Sequence, residues 1–140
     1  MANILVIDDD GGRLDWFQKV LEAMGHDLRL AVSANSALDQ FRETAFDVAF
    51  FDHDLGLGMN GSQLAYRIFS STKRFKVPRA VWIHTSNPVG AKNIAAKCLS
   101  AGVPHCVGAF HSLEAKSFQA AVRTLLLQID IPDQDQTSTS

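Results

Sequence analysis

Carboxylate side chains follow two short apolar segments of this sequence, at the point where each segment ends. Asp8 and Asp9 come directly after the apolar residues 3–7, and Asp52 and Asp54 close a second segment that reads FDVAFFDHD. Carboxylates that share one pocket repel one another, so they must share protons or hold a cation. Oxygen ligands suit Mg²⁺ or Mn²⁺, and Mg²⁺ commonly joins a few carboxylates to phosphate oxygens. We therefore expect these four aspartates to form a divalent metal site that handles a phosphate group.

The first acidic segment also has a purely structural interpretation. Residues 8–10 read DDD and precede a helical pattern, and aspartate favours both tight turns and helix N-caps. We expect Asp10 to act only as this cap. An acidic pair after one segment, together with Asp52 after another, indicates a metal site more strongly than either alone. The metal interpretation is therefore preferred for Asp8 and Asp9.

Short apolar runs alternate with segments of helical spacing, which is the pattern of a parallel sheet covered by helices. The predicted strands span residues 3–7, 27–32, 47–52, 79–85 and 104–107, and the predicted helices span residues 13–24, 34–44, 62–69, 90–100 and 113–128. This alternation predicts an α/β protein with a single doubly wound, five-stranded parallel sheet flanked by five helices. Ligands of such sheets bind at the carboxyl ends of the strands. With the strand order 2-1-3-4-5, the ends of the first, third and fourth strands meet.

The composition is that of one ordinary globular domain. The chain has 140 residues, of which 46% are hydrophobic and 20% are charged, and it contains no repeat or low-complexity tract. We expect one domain over residues 1–128, whose last helix is capped by Ser112. Residues 129–140 are mostly polar, and we expect them to form a disordered C-terminal tail.

Charge and cysteine content restrict the expected partners and location. The net charge of −2 argues against bulk nucleic-acid binding, and the cations within residues 67–79 fit a solvated helix end better than a docking patch. Cys98 and Cys106 form no C-x-x-C pair, and the first residues lack the basic and long apolar regions of a signal peptide. We expect a cytoplasmic protein with reduced thiols and no membrane association.

At its acidic residues the chain resembles the receiver domains of bacterial response regulators, and the resemblance covers almost the whole chain. The matching segments are ILVIDDD, FDVAFFD, which ends on Asp52, and GMNG at residues 58–61, with Thr85 where receivers carry a switch hydroxyl. The resemblance implies the flavodoxin-like receiver fold and a metal held by Asp8 and Asp9. It also implies that Asp52 accepts a phosphoryl group from a histidine kinase.

One feature of receivers is missing from this sequence. Receivers carry a lysine after the fifth strand that neutralises the phosphoryl oxygens, and this chain has Gly108 or Ala109 at that position. Lys116 lies a full turn into the next predicted helix and does not substitute for it. The loss of a fixed cation beside a developing dianion should weaken both phosphorylation and its readout.

Two further segments are not typical of receivers. DHDLG spans residues 52–56, and HTSNPVGAKNI spans residues 84–94. Both resemble the cyclic-phosphate-processing receiver domains, whose pattern has DHDLG after the third strand and a His-Ser-x-Asn-Pro-x-Gly stretch after the fourth. The residues that match this stretch are His84, Thr85 in place of the serine, Asn87, Pro88 and Gly90. The resemblance implies a metal-dependent phosphoesterase that acts on a cyclic phosphate.

Cyclic phosphate chemistry gives each polar residue a candidate role. Opening or forming a cyclic phosphodiester needs an activated oxygen nucleophile, a proton for the leaving oxygen and stabilisation of negative charge. On this interpretation Asp52 joins the metal ligands, His53 or His84 is the general acid or base, and Thr85 and Asn87 bind phosphate or ribose oxygens. Regular strand geometry would point His84 and Thr85 to opposite sides. Each histidine also has an alternative as a half-buried, hydrogen-bonded side chain.

Three functions therefore stay open at this point. The first is a phosphoesterase that acts on a phosphate-containing small molecule or an RNA end. The second is a stand-alone response regulator of a phosphorelay, phosphorylated on Asp52, and the third is a degenerate receiver that only binds partner proteins. The missing lysine argues against the second function and the two histidine segments favour the first, whereas the fold alone cannot decide among them.

Overall fold

Five parallel strands lie at the centre of the protein in the computed structural model, which describes residues 1–108 and 114–132. The elements follow one another along the chain as β1 (Asn3–Ile7), α1 (Gly11–Ala23), β2 (Asp27–Ala31), α2 (Ala34–Glu43), β3 (Val48–Phe51), α3 (Gly61–Ser70), β4 (Ala80–Ile83), α4 (Pro88–Ala101), β5 (His105–Val107) and α5 (Ala115–Leu127). The strands lie in the order β2-β1-β3-β4-β5, and every pair is parallel. The predicted doubly wound sheet and its strand order are therefore confirmed.

Both faces of the sheet are buried, because successive strand residues point to opposite sides. In β1, Leu5 and Ile7 pack in one cluster with residues of α2, α3 and α4, whereas Ile4 and Val6 pack in a second cluster with residues of α1 and α5. All four side chains are inaccessible to solvent. This two-sided burial explains why the central strands read as continuous apolar runs in the sequence.

The N-caps decide where the helices begin. Asp10 Oδ1 accepts a hydrogen bond from the Arg13 amide at 2.9 Å, so α1 begins at Gly11, and the predicted role of Asp10 as a cap is confirmed. Asn60 caps α3 through a reciprocal pair of hydrogen bonds with Gln63. Within the described residues, no helix is long and apolar enough to cross a membrane.

The last helix begins later than the sequence predicted. α5 starts at Ala115, and Glu114 occupies the N-cap position without a side-chain hydrogen bond to the helix. The predicted cap, Ser112, lies outside the described residues. The inward-facing residues of this helix are as its spacing predicted, since Phe118 and Val122 are buried in the cluster beside α1.

The residues just after α5 belong to the core rather than to the tail that we expected. Ile129 is buried, and Ile131 packs against the same cluster as α5. The Arg79 guanidinium donates to the Ile129 carbonyl, and the Ile131 amide donates to the Leu126 carbonyl at 2.9 Å. The domain therefore extends beyond residue 128, because two apolar side chains follow α5 and find a place beside it. Residues 133–140 of the expected tail lie outside the described residues.

Candidate functional site

Three buried polar side chains meet where β1, β3 and β4 end. Asp8, Asp52 and His84, which we call the strand-end group, each follow the last residue of one of these strands and offer ligand atoms within 4.8 Å of one another. Their backbones still pair with the sheet, since the Asp52 amide donates to the Ile7 carbonyl at 3.1 Å and the His84 amide donates to the Phe51 carbonyl at 2.9 Å. The sheet itself therefore fixes these residues relative to one another.

Asp8 is the most fully hydrogen-bonded member of the strand-end group. Its side chain is inaccessible to solvent, and its two oxygens face four donors. Oδ2 lies 2.8 Å from Arg13 Nε and 3.0 Å from His84 Nε2, and Oδ1 lies 2.8 Å from the Asp10 amide and 2.9 Å from Arg13 Nη2. Burial alone would raise the pKa of Asp8, but the hydrogen bonds from His84, Arg13 and the Asp10 amide outweigh burial and hold the pKa at about 2. Asp8 is therefore a charged carboxylate at neutral pH.

Asp52 lies in the same pocket but is harder to ionise. Its side chain is 7% exposed, and burial together with the neighbouring charge of Asp8 raises the pKa of Asp52 above its usual value. Arg13 Nη2 at 3.4 Å and the Asp54 amide at 3.3 Å partly offset this effect. The pocket thus holds two carboxylates whose mutual repulsion a cation relieves.

A cation of the chain itself lies against these carboxylates. Arg13, in the first turn of α1, contacts both Asp8 and Asp52, and its hydrogen bond to Asp8 raises the pKa of Arg13 above its usual value. Arg13 was not among the predicted site residues. Its spacing of four from Asp9 and three from Asp10 was the available signal, because residues so spaced are neighbours on one face of a helix.

His84 is buried between Asp8 and an aromatic ring. Its side chain is inaccessible to solvent, and its ring centroid lies 4.9 Å from that of Phe17. Because a carboxylate only accepts hydrogen bonds, the His84 Nε2 atom, 3.0 Å from Asp8 Oδ2, carries the hydrogen. His84 Nδ1 is also buried and has no hydrogen-bond partner among the described residues. Nδ1 can therefore exchange a proton or bind a ligand only with a group that enters the space beside it.

Thr85 and Asn87 lie in the turn that leads from β4 into α4. Regular strand geometry would point His84 and Thr85 to opposite sides, but β4 ends at Ile83, before either residue. Both side chains are buried. Thr85 Oγ1 accepts from the Asn87 amide at 3.1 Å, and Asn87 Oδ1 accepts from the Gly90 amide at 3.0 Å as the N-cap of α4. The Thr85 hydroxyl and the Asn87 side-chain amide group can still donate to a ligand.

His53 packs at the junction of α3 and α4. Its Nδ1 lies 2.9 Å from Ser62 Oγ, and its ring lies so close to α4 that a Cβ on Gly90 would be 2.2 Å from the ring Cγ. This is the half-buried, hydrogen-bonded placement that we considered as an alternative to a catalytic role. Of the two candidate histidines, His84 is the one that lies with the carboxylates.

The structure brings together two of the four predicted metal ligands. Asp9 and Asp54 are exposed and lie outside the strand-end group, whereas His84 joins Asp8 and Asp52. Two carboxylates and an imidazole suit Mn²⁺, and the carboxylates suit Mg²⁺ when waters complete its shell. The residues present therefore fit a divalent cation, and ligation of a metal by any of these residues stays a prediction.

Gly61 shows how closely α3 approaches the site. Its amide donates to the His53 carbonyl at 2.8 Å. A Cβ on Gly61 would lie 2.1 Å from the carbonyl oxygen of Asp52. Because that contact is with the backbone, no flexible side chain can move aside. Glycine is therefore required here, which gives the last residue of the GMNG segment a structural reason.

We expect Gly61→Ala to destabilise the protein by about 2 kcal/mol or more, because the new methyl group forces the backbone that carries Asp52 to shift. Gly11→Ala is the matched control, since Gly11 also begins a helix and a Cβ there would meet nothing within 4 Å. The control should be neutral or slightly stabilising, because alanine favours the helix. Urea unfolding followed by circular dichroism measures both. Equal stability of the Gly61→Ala protein and the wild type would contradict this close approach.

Comparison with known proteins identifies a matching family model and a curated relative. The family model described as Cyclic-phosphate processing Receiver domain matches residues 4–100 of this chain. Hybrid signal transduction histidine kinase L of Dictyostelium discoideum is 27% identical over 106 residues, which cover 74% of this chain and 6% of that protein. The chain thus spans only a small part of the length of that relative.

Solved receiver structures share the fold. A CheY-like response regulator receiver domain protein from Methanospirillum hungatei superimposes with a TM-score of 0.70 at 21% identity, covering 91% of this chain and 95% of that one. A two-component response regulator from Clostridium difficile gives a TM-score of 0.73 at 20% identity, covering 94% of this chain and 100% of that one. These similarities confirm the flavodoxin-like receiver fold that the sequence motifs implied.

Proposed function

Because the chain belongs to the family of cyclic-phosphate processing receiver domains, we propose that it is a metal-dependent phosphoesterase that opens a cyclic phosphodiester. The observation that carries this proposal is the strand-end group, in which His84 contacts the carboxylate of Asp8 at 3.0 Å beside Asp52. In a receiver that only accepts a phosphoryl group on Asp52, this imidazole would serve as a structural hydrogen-bond partner of Asp8. A phosphoesterase uses it as a proton carrier.

Each polar residue has a defined task in this reaction. Asp8 and Asp52 would hold the metal, which when bound supplies Lewis-acid stabilisation of the phosphate charge. His84 Nδ1 takes a proton from the attacking water, while Nε2 stays hydrogen-bonded to Asp8. Thr85 and Asn87 donate hydrogen bonds to phosphate or ribose oxygens. The water oxygen forms a bond to phosphorus and one ring P–O bond breaks. The leaving oxygen takes a proton from solvent while His84 returns its own proton to solvent, so that a phosphomonoester is released.

A groove between α3 and α4 favours a nucleotide chain as the substrate. It has a volume of about 640 Å³, and the charged residues among its described lining, Arg67 and Lys97, are both cations. The exposed ring of Tyr66 lies in it, with Lys97 Nζ 4.6 Å from the ring centroid. Ser62 also lines the groove and is hydrogen-bonded to His53, which directly follows Asp52 in the sequence. Cations beside an exposed aromatic ring are the usual elements of single-strand binding, which supports an RNA end as the substrate.

A second candidate function is phosphorelay, and the sequence position of Asp52 favours it. Asp52 occupies the receiver phosphoacceptor position, Thr85 supplies a hydroxyl at the end of the neighbouring strand β4, and the curated relative is a hybrid histidine kinase. Against it stands the position after β5 where receivers have their lysine, since this chain has Gly108 or Ala109 there. A third candidate, a receiver that only binds partner proteins, would use neither the carboxylates nor His84.

Incubation with Mn²⁺ and a panel of cyclic phosphates tests the proposal. We expect the protein to open the ring of a 2′,3′-cyclic phosphate, which ³¹P NMR detects. This activity should be lost completely when EDTA is added. An RNA oligonucleotide that ends in the cyclic phosphate should be a better substrate than the mononucleotide, because only the oligonucleotide is long enough to contact the groove while its cyclic phosphate lies at the strand-end group.

A parallel incubation with a small phosphodonor separates the alternatives. A stable, acid-labile adduct on Asp52 without any turnover would favour phosphorelay. If neither turnover nor an adduct is found, the result favours a degenerate receiver that only binds partner proteins.

We also propose that the protein works in a reducing compartment, the cytoplasm. Cys98 and Cys106 are both free thiols, and burial raises the pKa of each to about 12. Thiols of this kind stay protonated at neutral pH and are poor nucleophiles. They are therefore packing residues rather than parts of the reaction.

A further inference from the structure

We propose that Arg13 is a built-in counter-ion of the strand-end group and that its side chain must leave Asp8 before a divalent cation can bind. This inference rests on the metal site of the proposed function. The guanidinium contacts both Asp8 oxygens, at 2.8 and 2.9 Å, and reaches Asp52 at 3.4 Å. It thus takes the place between the two carboxylates that a metal ion would need.

The four donors around Asp8 make this competition unavoidable. Each carboxylate oxygen has room for about two hydrogen bonds. Oδ1 already faces the Asp10 amide and Arg13, and Oδ2 already faces Arg13 and His84. No lone pair of Asp8 is left for a metal ion while all four donors stay in place. One donor must therefore withdraw when the cation enters.

Arg13 is the donor that can withdraw. The Asp10 amide is fixed by the backbone of the turn before α1, and the His84 side chain is fully buried. The Arg13 side chain is 35% exposed at the start of α1. It is long and flexible, so it is the member of this set that can move without rearranging the core.

The exposed aspartates beside the pocket offer Arg13 a second position. Asp9 Oδ1 lies 3.7 Å from Arg13 Nη2, and Asp10 Oδ2 lies 3.9 Å from Arg13 Nη1. Their side chains are 39% and 48% exposed, whereas that of Asp8 is inaccessible. A small outward shift would keep the guanidinium paired while it uncovers Asp8. This gives Asp9 a task near the site without making it a metal ligand.

Removal of the arginine charge should therefore strengthen metal binding. We expect Arg13→Gln to bind Mn²⁺ about tenfold more tightly than the wild type, since the ion no longer displaces a resident cation. Arg13→Lys should fall between the two, because an ammonium group keeps the charge but cannot hold both Asp8 oxygens in the same fork. The dissociation constant is measured by titration with Mn²⁺ alone, with electron paramagnetic resonance detecting the free ion.

Arg42→Gln is the control variant. Arg42 is an exposed arginine that pairs with Asp39 at 2.7 Å on α2, away from the strand-end group. Its loss should leave the Mn²⁺ affinity unchanged. The control removes the same charge from the protein, so an equal gain in both variants would mean that overall charge, and not the place of Arg13, sets the affinity.

A melting experiment shows whether Arg13 is only a structural ion pair. In EDTA, Arg13→Gln should melt at a lower temperature than the wild type, because the buried charge of Asp8 loses a partner. Mn²⁺ should raise the melting temperature of the variant more than that of the wild type. A lower melting temperature that Mn²⁺ does not restore would overturn the counter-ion role.

The outcomes separate this inference from the function on which it rests. If the wild type and Arg13→Gln bind Mn²⁺ equally well, the inference is wrong and the metal site stands. If Mn²⁺ binds to none of the variants or the wild type, the metal site of the proposed function is wrong, and the inference fails with it.

Discussion

Asp8→Asn is expected to lower the turnover of a cyclic phosphodiester by at least about 100-fold, because the loss of a group that merely supports a metal ligand already costs about 10- to 100-fold. Asparagine has nearly the same size as aspartate. However, it removes a negative charge and one of the two oxygens that a hard divalent cation prefers. Turnover at saturating substrate and the dissociation constant for Mn²⁺ are both measured, and both should deteriorate.

Asp10→Asn makes the same chemical change two residues away. The Asp10 side chain is 48% exposed and caps α1 through the Arg13 amide. Because asparagine caps helices as well as aspartate does, the fold should be kept. Turnover should stay within about twofold of the wild type, since Asp9 still offers Arg13 a second position and exposed ion pairs contribute little. Full activity of the Asp8→Asn protein, or an equal loss in the two variants, would show that Asp8 is not a metal ligand.

The Asp8→Asn variant should also change the pH dependence of the free energy of unfolding, and the sign of this change follows from the pKa of Asp8. That pKa lies at about 2, below the ordinary 3.8, so the charged carboxylate stabilises the fold by on the order of 2 kcal/mol at neutral pH. The contribution is lost as the pH falls through the interval between these two values. The deficit of Asp8→Asn in the free energy of unfolding should therefore shrink in acid. Urea unfolding at neutral and acidic pH measures this change and shows whether the variant is folded in the turnover assay.

The sheet was predictable from the sequence because its signals are local. A strand buried on both faces must be apolar at every position, and residues such as Val6 and Phe50 satisfy this within short runs that end in acidic residues. Once the strand order was assumed, the meeting of Asp8 with Asp52 followed from the geometry of parallel strands. The cap at Asp10 was likewise a local matter of residue type and position.

The finer arrangement of the site was not predictable in the same way. Whether Arg13 turns toward Asp8 or toward solvent depends on the place of α1 against the sheet, which no short segment determines. His53 and His84 both follow strands, yet the close approach of Gly90 holds His53 at the helix junction while His84 reaches Asp8. Such differences arise from packing between elements that are distant in the sequence.

His84→Gln should reduce turnover by about 100-fold or more, since general acid–base catalysis typically contributes roughly 10²- to 10⁴-fold. The glutamine amide can donate to Asp8 Oδ2 in place of His84 Nε2, which lies 3.0 Å from that oxygen. The hydrogen bonding of Asp8 is then retained, but the new side chain cannot take up a proton. Mn²⁺ affinity should consequently change by no more than a few-fold, and titration of the variant with Mn²⁺ measures this.

His53→Gln decides which of the two histidines carries the proton. His53 is hydrogen-bonded to Ser62 at 2.9 Å and lies outside the strand-end group, so its variant should keep most of its turnover. The reverse ranking would assign the proton to His53, and a large loss of Mn²⁺ affinity in His84→Gln would make His84 a metal ligand instead. We expect His84 to be the carrier because its buried Nδ1 has no partner among the described residues. Folded proteins seldom leave a buried polar atom without a hydrogen bond, so we expect a water or a substrate atom to bind beside His84 Nδ1.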